Sequence, residues 1–344
     1  MRRRMSLPAA LLLLATEARA GDGEPDRSLA GRPARPAAQS APRATGVRPW
    51  LASAPDGATT TGGATPESGR VARPEPEPEE TEVPAPTVAF EVSTTNLYVY
   101  RGLIVEDEGV IVQSSVEIHV PVLVGTGLVR TVDLGAVLWA SLGTGPSGTG
   151  GDTHAPRALT EVDATLSITA ALAGGWSVGG SYAWFRYPNG SADPVAEIAA
   201  TIAFDDGPRW PAGGRFRGFS PTLTLAYEAR GQSDGGGDRG VFLGIGVSPT
   251  FSLTGDPEGA SLALSVAGGM SVADYYEGAG GSDETFGYLE LGPELELPLG
   301  GREGGPSFSL TLGVHVLLAG ENLRLYNGTD DPLVIGFVTL NTSF

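Results

Sequence analysis

Residues 96–120, NLYVYRGLIVEDEGVIVQSSVEIHV, hold two alternating runs on either side of an acidic knot. Before the knot Leu97, Val99 and Arg101 alternate with Asn96, Tyr98 and Tyr100. After it Val110, Val112, Val116, Ile118 and Val120 alternate with Ile111, Gln113, Ser115, Glu117 and His119. A period of two over this length reads as a hairpin with one apolar and one polar face, its turn in VEDEG. The fold depends on which solvent each face meets.

The same alternation continues to the C-terminus. Strands are expected near 88–103, 109–124, 129–143, 158–173, 175–187, 194–205, 217–231, 239–254, 260–274, 284–299, 306–320 and 332–344, an even number with both ends on one side. In YLELGPELELPL (288–299) Leu289, Leu291, Leu295, Leu297 and Leu299 face one way and Glu290, Glu294 and Glu296 the other. In PTLTLAYEARG (221–231) Leu223, Leu225, Tyr227 and Ala229 oppose Thr222, Thr224, Glu228 and Arg230.

Composition selects the solvent. Charged residues make up only 18% of the 344-residue chain, yet beyond residue 20 no apolar run is long enough for a transmembrane helix. Half-apolar strands that average to neutral hydropathy are what a membrane barrel produces. The expected fold is therefore all-β, a transmembrane antiparallel up-and-down β-barrel of about twelve strands over 88–344. There is no Cys, which excludes disulfides, thiolate metal sites, a thiol nucleophile and a lipoprotein anchor. All 22 basic residues are Arg, and against 40 Asp and Glu the formal charge is −18, which argues against nucleic acid as a partner.

The chain opens with MRRRMSLPAALLLLATEARA (1–20), which has the basic, apolar and small-x-small parts of an export signal. Residues 21–87, rich in Pro, Ala and Gly, cannot bury enough apolar surface to order themselves and read as a disordered periplasmic spacer. With the N-terminus periplasmic, connections after odd-numbered strands are long and acidic (GTGPSGTGGDTHAPR, YPNGSADP, GQSDGGGDR, DYYEGAGGSDET, GENLRLYNGTDDP), with the shorter VEDEG after the first. The others are short turns, the expected asymmetry of an outer-membrane barrel. DDGPRWPAGGRFRG (205–218) dissents, being too long for a periplasmic turn.

Aromatic spacing points the same way. Phe90 and Tyr98, Trp176 and Trp184, and Phe219 and Tyr227 each lie eight residues apart on an apolar face. Eight tilted strand residues span about 20 Å, close to the height between the two aromatic girdles of a membrane barrel. In VIGFVTLNTSF (334–344) Val334, Val338, Leu340 and Phe344 share a face.

A last strand ending in Phe resembles the C-terminal signal of bacterial outer-membrane barrels, which implies the barrel-assembly machinery as a partner. The first hairpin is similar to the opening of the TorF-like porin family, outer-membrane barrels of largely undefined activity. There an aromatic-x-aromatic-Arg-Gly strand leads into a turn and a Gln-containing second strand. Tyr98, Tyr100, Arg101, Gly102 and Gln113 carry that likeness, and WSVGGSYAWFRYP (176–188) resembles the family's Gly- and Tyr-rich middle. The Pro-rich preface and the scarcity of Tyr and Asn depart from it. The resemblance implies a location more than a chemistry.

Reactive constellations are not evident. The three histidines, His119, His154 and His315, have no hydroxyl two residues away or sit in a Gly-rich loop. Asp205-Asp206 and Asp330-Asp331 read as turn residues. No metal-ligand or phosphate-loop spacing appears, so no enzyme, cofactor or metal is expected. By parity the lumen face holds Glu117, Asp133, Glu161, Asp163, Glu197, Glu228, Glu290, Glu294 and Glu296, with Arg101, Arg186 and Arg230 as its basic residues. The expected function is a narrow porin-like channel preferring cationic solutes. The alternative is a closed structural or adhesive barrel that works through its acidic outer loops; outer-membrane lipid is an expected partner on either reading, and small solutes on the first.

Overall fold

The computed structural model describes residues 84–145, 158–211, 213–233, 236–256, 259–278, 280–301 and 305–344. The expected signal, nearly all of the Pro-rich segment and His154 lie outside them.

The wall begins with β1 (Thr87–Thr95) and continues after an interior excursion with β4 (Ile111–Val124). There follow β5 (Val129–Gly143), β6 (Leu159–Leu172), β7 (Trp176–Arg186) and β8 (Val195–Phe204). Next come β9 (Phe216–Gly218) with β10 (Thr222–Arg230), and β11 (Val241–Val247) with β12 (Thr250–Ser252). The last four are β13 (Ser261–Ala273), β14 (Phe286–Gly301), β15 (Ser307–Ala319) and β16 (Leu333–Ser343). Each of the two short pairs is one strand broken by a kink. Phe219-Ser220-Pro221, with Ser220 at φ 48°, interrupts the first, and Ser248-Pro249, where proline has no N–H to donate, interrupts the second. The strands pair antiparallel with their sequence neighbours throughout, and β1 meets β16 from Ala89↔Ser343 to Thr95↔Phe337. That pairing closes a twelve-stranded barrel and leaves no free edge.

Alternation sorts the side chains. Leu138, Leu166, Ile198, Leu225, Val314 and Val334 are all exposed on the outer face, whereas their strand neighbours Ser141, Ala183, Glu197, Ala226 and His315 are buried inside. So continuous an apolar outer surface is stable only against hydrocarbon, and the fold is a transmembrane barrel. Phe90, Trp176, Trp184, Phe219, Tyr227 and Phe344 lie on that outer face, and the Phe344 ring meets Phe90 edge-on at 5.9 Å.

The first expected strand is corrected. Of the run 88–103 only residues 88–95 lie in the wall, in a strand that starts at Thr87. After Thr95 the chain turns inward and forms its own two-stranded sheet, β2 (Tyr98–Tyr100) and β3 (Leu103–Glu106). Tyr98 is thus fully buried within the barrel instead of in a girdle. Alternation cannot distinguish a strand in the wall from a hairpin in the lumen, because both have two different faces. The long connection at 205–215 also has an explanation: it is a folded turn on the short-turn end. The Asp206 carboxylate accepts from the N–H groups of Phe219 (2.8 Å) and Ser220 (2.9 Å) and from Trp210 Nε1 (2.8 Å). Rings of Trp210, Phe216, Phe219 and Phe251 pack around it.

Candidate functional site

The hairpin β2–β3 occupies the barrel at its long-loop end. Tyr100 pairs with Leu103 across Arg101-Gly102, both at positive φ (43° and 90°), the backbone that a tight two-residue hairpin requires. Gly102 has no alternative, since a Cβ there would lie 2.5 Å from Leu323 Cδ1. Arg101 holds a conformation that costs a non-glycine residue energy, a strain that persists only where surrounding contacts enforce it.

Those contacts are charged and specific. The Arg101 guanidinium forms a fork with Glu197 on β8, Nη1–Oε2 at 2.6 Å and Nη2–Oε1 at 2.8 Å. Nη1 also donates to Tyr275 Oη at 2.7 Å, and the group lies 3.9 Å above the Phe242 ring. Tyr275 continues through Ser233 Oγ (2.8 Å) to Glu228 on β10, which also accepts from the Ser233 and Gly240 N–H groups. On the opposite wall Tyr98 Oη donates to Glu161 Oε2 at 2.8 Å, and its ring lies 5.5 Å from that of Trp139. Asn96 fixes the departure point by exchanging hydrogen bonds with the β16 backbone at Val334 and Gly336.

A short helix, α1 (Glu321–Asn327), clamps the hairpin from the loop before β16. Asn327 accepts from the Ile104 N–H and donates to the Gly102 carbonyl, both at 2.8 Å. The helix start is held by Glu284, whose carboxylate accepts from the N–H groups of Glu321 (2.9 Å) and Asn322 (2.6 Å). Apolar packing completes the closure. Leu97, Val99, Leu103 and Ile104 pack with Phe242, Tyr276, Tyr288, Leu317 and Ile335 on one side. Tyr98 and Tyr100 pack with Ile111, Phe185 and Val195 on the other. The gap that remains between Tyr100, Arg101, Ser233, Tyr275 and Leu323 has no room for a water molecule. Glu106 closes β3, and burial pushes its carboxyl up to about 7.

Toward the short-turn end the lumen lining changes to half-buried acids. His315 sits between Glu290 (Nδ1–Oε1, 2.6 Å) and Glu294 (Nε2–Oε1, 3.1 Å). Room for its ring comes from Gly292, where a Cβ would lie 2.3 Å from His315 Cδ2. Ser265 donates to Glu294 at 2.8 Å and Ser261 contacts Glu296 at 3.4 Å. Glu117 holds His119 at 2.7 Å, with Asp133 on the adjacent strand.

The structure thus divides the residues singled out from the sequence. Glu161, Asp163, Glu197 and Glu228 surround the hairpin that carries Arg101, Glu290 lies just below it opposite Leu317, and Glu117, Asp133, Glu294 and Glu296 line the lumen toward the short turns. Two assignments are corrected. Arg186 has the parity of Trp184 and lies outside, its guanidinium 4.5 Å from that ring. Arg230 lies beyond a bulge after Glu228 and pairs with Ala196, itself opposite Trp184, so the extra residue turns it outward. Sequence reasoning missed Asn96, which ties the start of the hairpin to β16, and Trp139, Phe242, Tyr275, Tyr276 and Asn327, which touch the hairpin across about 40 to more than 200 residues of chain. The one local signal was Gly102 within an otherwise apolar run. Among the described residues no group of three or more His, Asp and Glu side chains is arranged to hold a metal.

No protein-family model and no curated protein matches the sequence. Among solved structures the chain is similar to the COG4313 outer membrane channel from Pseudomonas putida F1, at 12% identity over 78% of this chain and 100% of that one, TM-score 0.42. It is similar to the NanC porin at 10% identity over 74% and 98%, TM-score 0.36. It is also similar to LpxR from Salmonella typhimurium at 8% identity over 74% and 99%, TM-score 0.37. Function has to be read from this barrel's own interior.

Proposed function

We propose that this protein is a porin-like barrel of the bacterial outer membrane whose lumen is latched shut by its own first hairpin and, when unlatched, passes small hydrophilic solutes with a preference for cations. The long acidic loops face outward, the Pro-rich segment lies in the periplasm after export, and Phe344 presents the C-terminal strand to the assembly machinery. One observation carries the reading: the plug is held to the wall by ionic and hydrogen-bonded contacts, Arg101–Glu197 and Tyr98–Glu161. A plug made only to fill space needs no buried charge, and an apolar one is often at least as stable. A polar latch can be exchanged for water and ions when the hairpin leaves. The acidic short-turn half then sets the selectivity, because a carboxylate-lined passage concentrates cations.

Planar bilayers test this with the full chain and with a variant whose residues 98–106 are replaced by three glycines. That link is long enough, because Thr95 and Ile111 are directly paired in the wall. The intact protein should conduct rarely, and the variant should give steady steps with cation preference that weakens on Glu294→Gln and Glu296→Gln. A variant with no steps removes the channel, and anion preference removes the selectivity.

The second reading is a closed structural or adhesive barrel acting through its acidic loops. The gap beside Tyr100, Arg101 and Tyr275, too small for a water molecule, favours it. Liposome swelling separates the two: sugar permeability unchanged in the glycine-linked variant supports permanent closure.

A further inference from the structure

Beside the hairpin the wall carries a row of inward polar side chains, of which the latch uses only one oxygen of Glu161. Gln113 on β4 lies directly opposite Ser141 on β5, and Ser141 directly opposite Glu161 on β6. Asp163 follows Glu161 two residues on, on the same face, with Trp139 opposite it. All four polar residues are at most 2% exposed. Yet both oxygens of Asp163, the Ser141 hydroxyl, and both the Oε1 and Nε2 of Gln113 have no hydrogen-bond partner. Buried polar groups are almost always satisfied, so several orphans in one place point to something bound between them. The hairpin's one arginine is committed to Glu197.

We propose that Glu161 and Asp163 hold a divalent cation of the calcium type, with Ser141 Oγ and Gln113 Oε1 among its remaining ligands. Residues two apart on one strand face are about 7 Å apart at Cα, and directly opposed residues about 5 Å apart at Cβ, so these side chains can converge on one ion. The donors are all oxygen, and two are carboxylates. That set suits a hard cation and disfavours metals that seek imidazole or thiolate. An anion is repelled by the same pair. A shared proton is the rival occupant, but it leaves Ser141 and Gln113 unpaired. Through Tyr98, which donates to Glu161, the ion fastens the hairpin to the wall. The site stands whether or not the barrel conducts.

Terbium luminescence of the full chain in detergent micelles tests it. Trp139, opposite Asp163 and beside Tyr98, is the energy donor, whereas Trp176, Trp184 and Trp210 are on the outer surface. Excitation of tryptophan should give sensitised Tb3+ emission that Ca2+ displaces, and Ca2+ should raise the thermal unfolding midpoint. Asp163→Asn and Glu161→Gln, near-isosteric changes, should each weaken binding roughly tenfold or more. Trp139→Phe should lose the emission and keep the Ca2+-dependent midpoint shift. Heat-modifiable gel mobility reports folding of each variant, and Ser141→Ala is the fallback if a carboxylate variant fails to fold. Wild-type emission no stronger than that of the variants, or a midpoint unmoved by Ca2+, overturns the proposal in favour of the shared proton.

Discussion

Arg101 combines three properties seldom found in one side chain: a strained backbone, nearly full burial and a bidentate ion pair. Each explains another. The left-handed turn aims the guanidinium across the lumen at Glu197, and the pair's contacts with Tyr275 and Phe242 offset both the strain and the desolvation. Removing one partner leaves the other charged and buried, so Arg101→Ala should cost about 3–5 kcal/mol. Arg101→Lys should recover only part, because an ammonium cannot reproduce the fork. Chemical unfolding in detergent measures both. Equal losses for Ala and Lys would leave the fork without a role. Alternation placed Arg101 on the lumen side; Arg186 shares the parity of Trp184 and so belongs outside by alternation itself, whereas Arg230 is turned outward by a bulge. Parity is a relative statement that one bulge reverses, and only the pairing register reveals the bulge.

At the scale of elements, the interior hairpin and the 205–215 turn show opposite uses of a buried carboxylate. Glu106 at the end of β3 is pushed up to about 7, mainly by burial. Its folded value is above the ordinary one, so the associated stability is complete below about 4.5 and is lost as pH rises through about 7. Hairpin exchange with solvent, followed by amide hydrogen exchange at Val99 and Leu103, should therefore quicken between about pH 6 and 8. Glu106→Gln should abolish that dependence. Asp206 is the reverse case. Burial pushes its carboxyl up, but the Ser220 and Phe219 N–H groups and the Trp210 indole outweigh this and hold it below the usual carboxylate range. Asp206→Ala orphans those donors and should cost roughly 2–3 kcal/mol, with a red shift of Trp210 emission. An unshifted spectrum would show that the aromatic cluster holds the turn unaided. Neither element was legible beforehand. The hairpin is assembled by partners as distant as Asn327, and the turn by one Asp reaching across a kinked strand.

For the whole molecule, the apolar belt and the closed hydrogen-bond ladder are one fact seen from two sides. Backbone groups facing lipid have no water to bond, so only a sheet that ends on its own beginning can cross. Leu166, at the middle of β6, is 65% exposed on the outer face. Leu166→Arg should cost about 2–4 kcal/mol if it lies at the hydrocarbon midplane. The same change at Leu128, in the short turn before β5, should cost about 0–1. Folding titrations into lipid vesicles compare them, and equal costs would remove lipid from the outer face.

Strand number, the limits of every wall strand but the first to within a few residues, and the inward set of carboxylates follow from local alternation. A β-strand's two faces are written at successive positions, and in this chain they must meet two different solvents. What the tertiary structure alone decided is that residues 96–106 leave the wall to fill the lumen and that Tyr98 serves as a latch and not as a girdle. It also decided that a bulge turns Arg230 outward while four carboxylates gather around a plug. The physical reason is that the energy of the interior comes from side chains brought together by barrel closure, and no window of sequence contains both halves of such a contact.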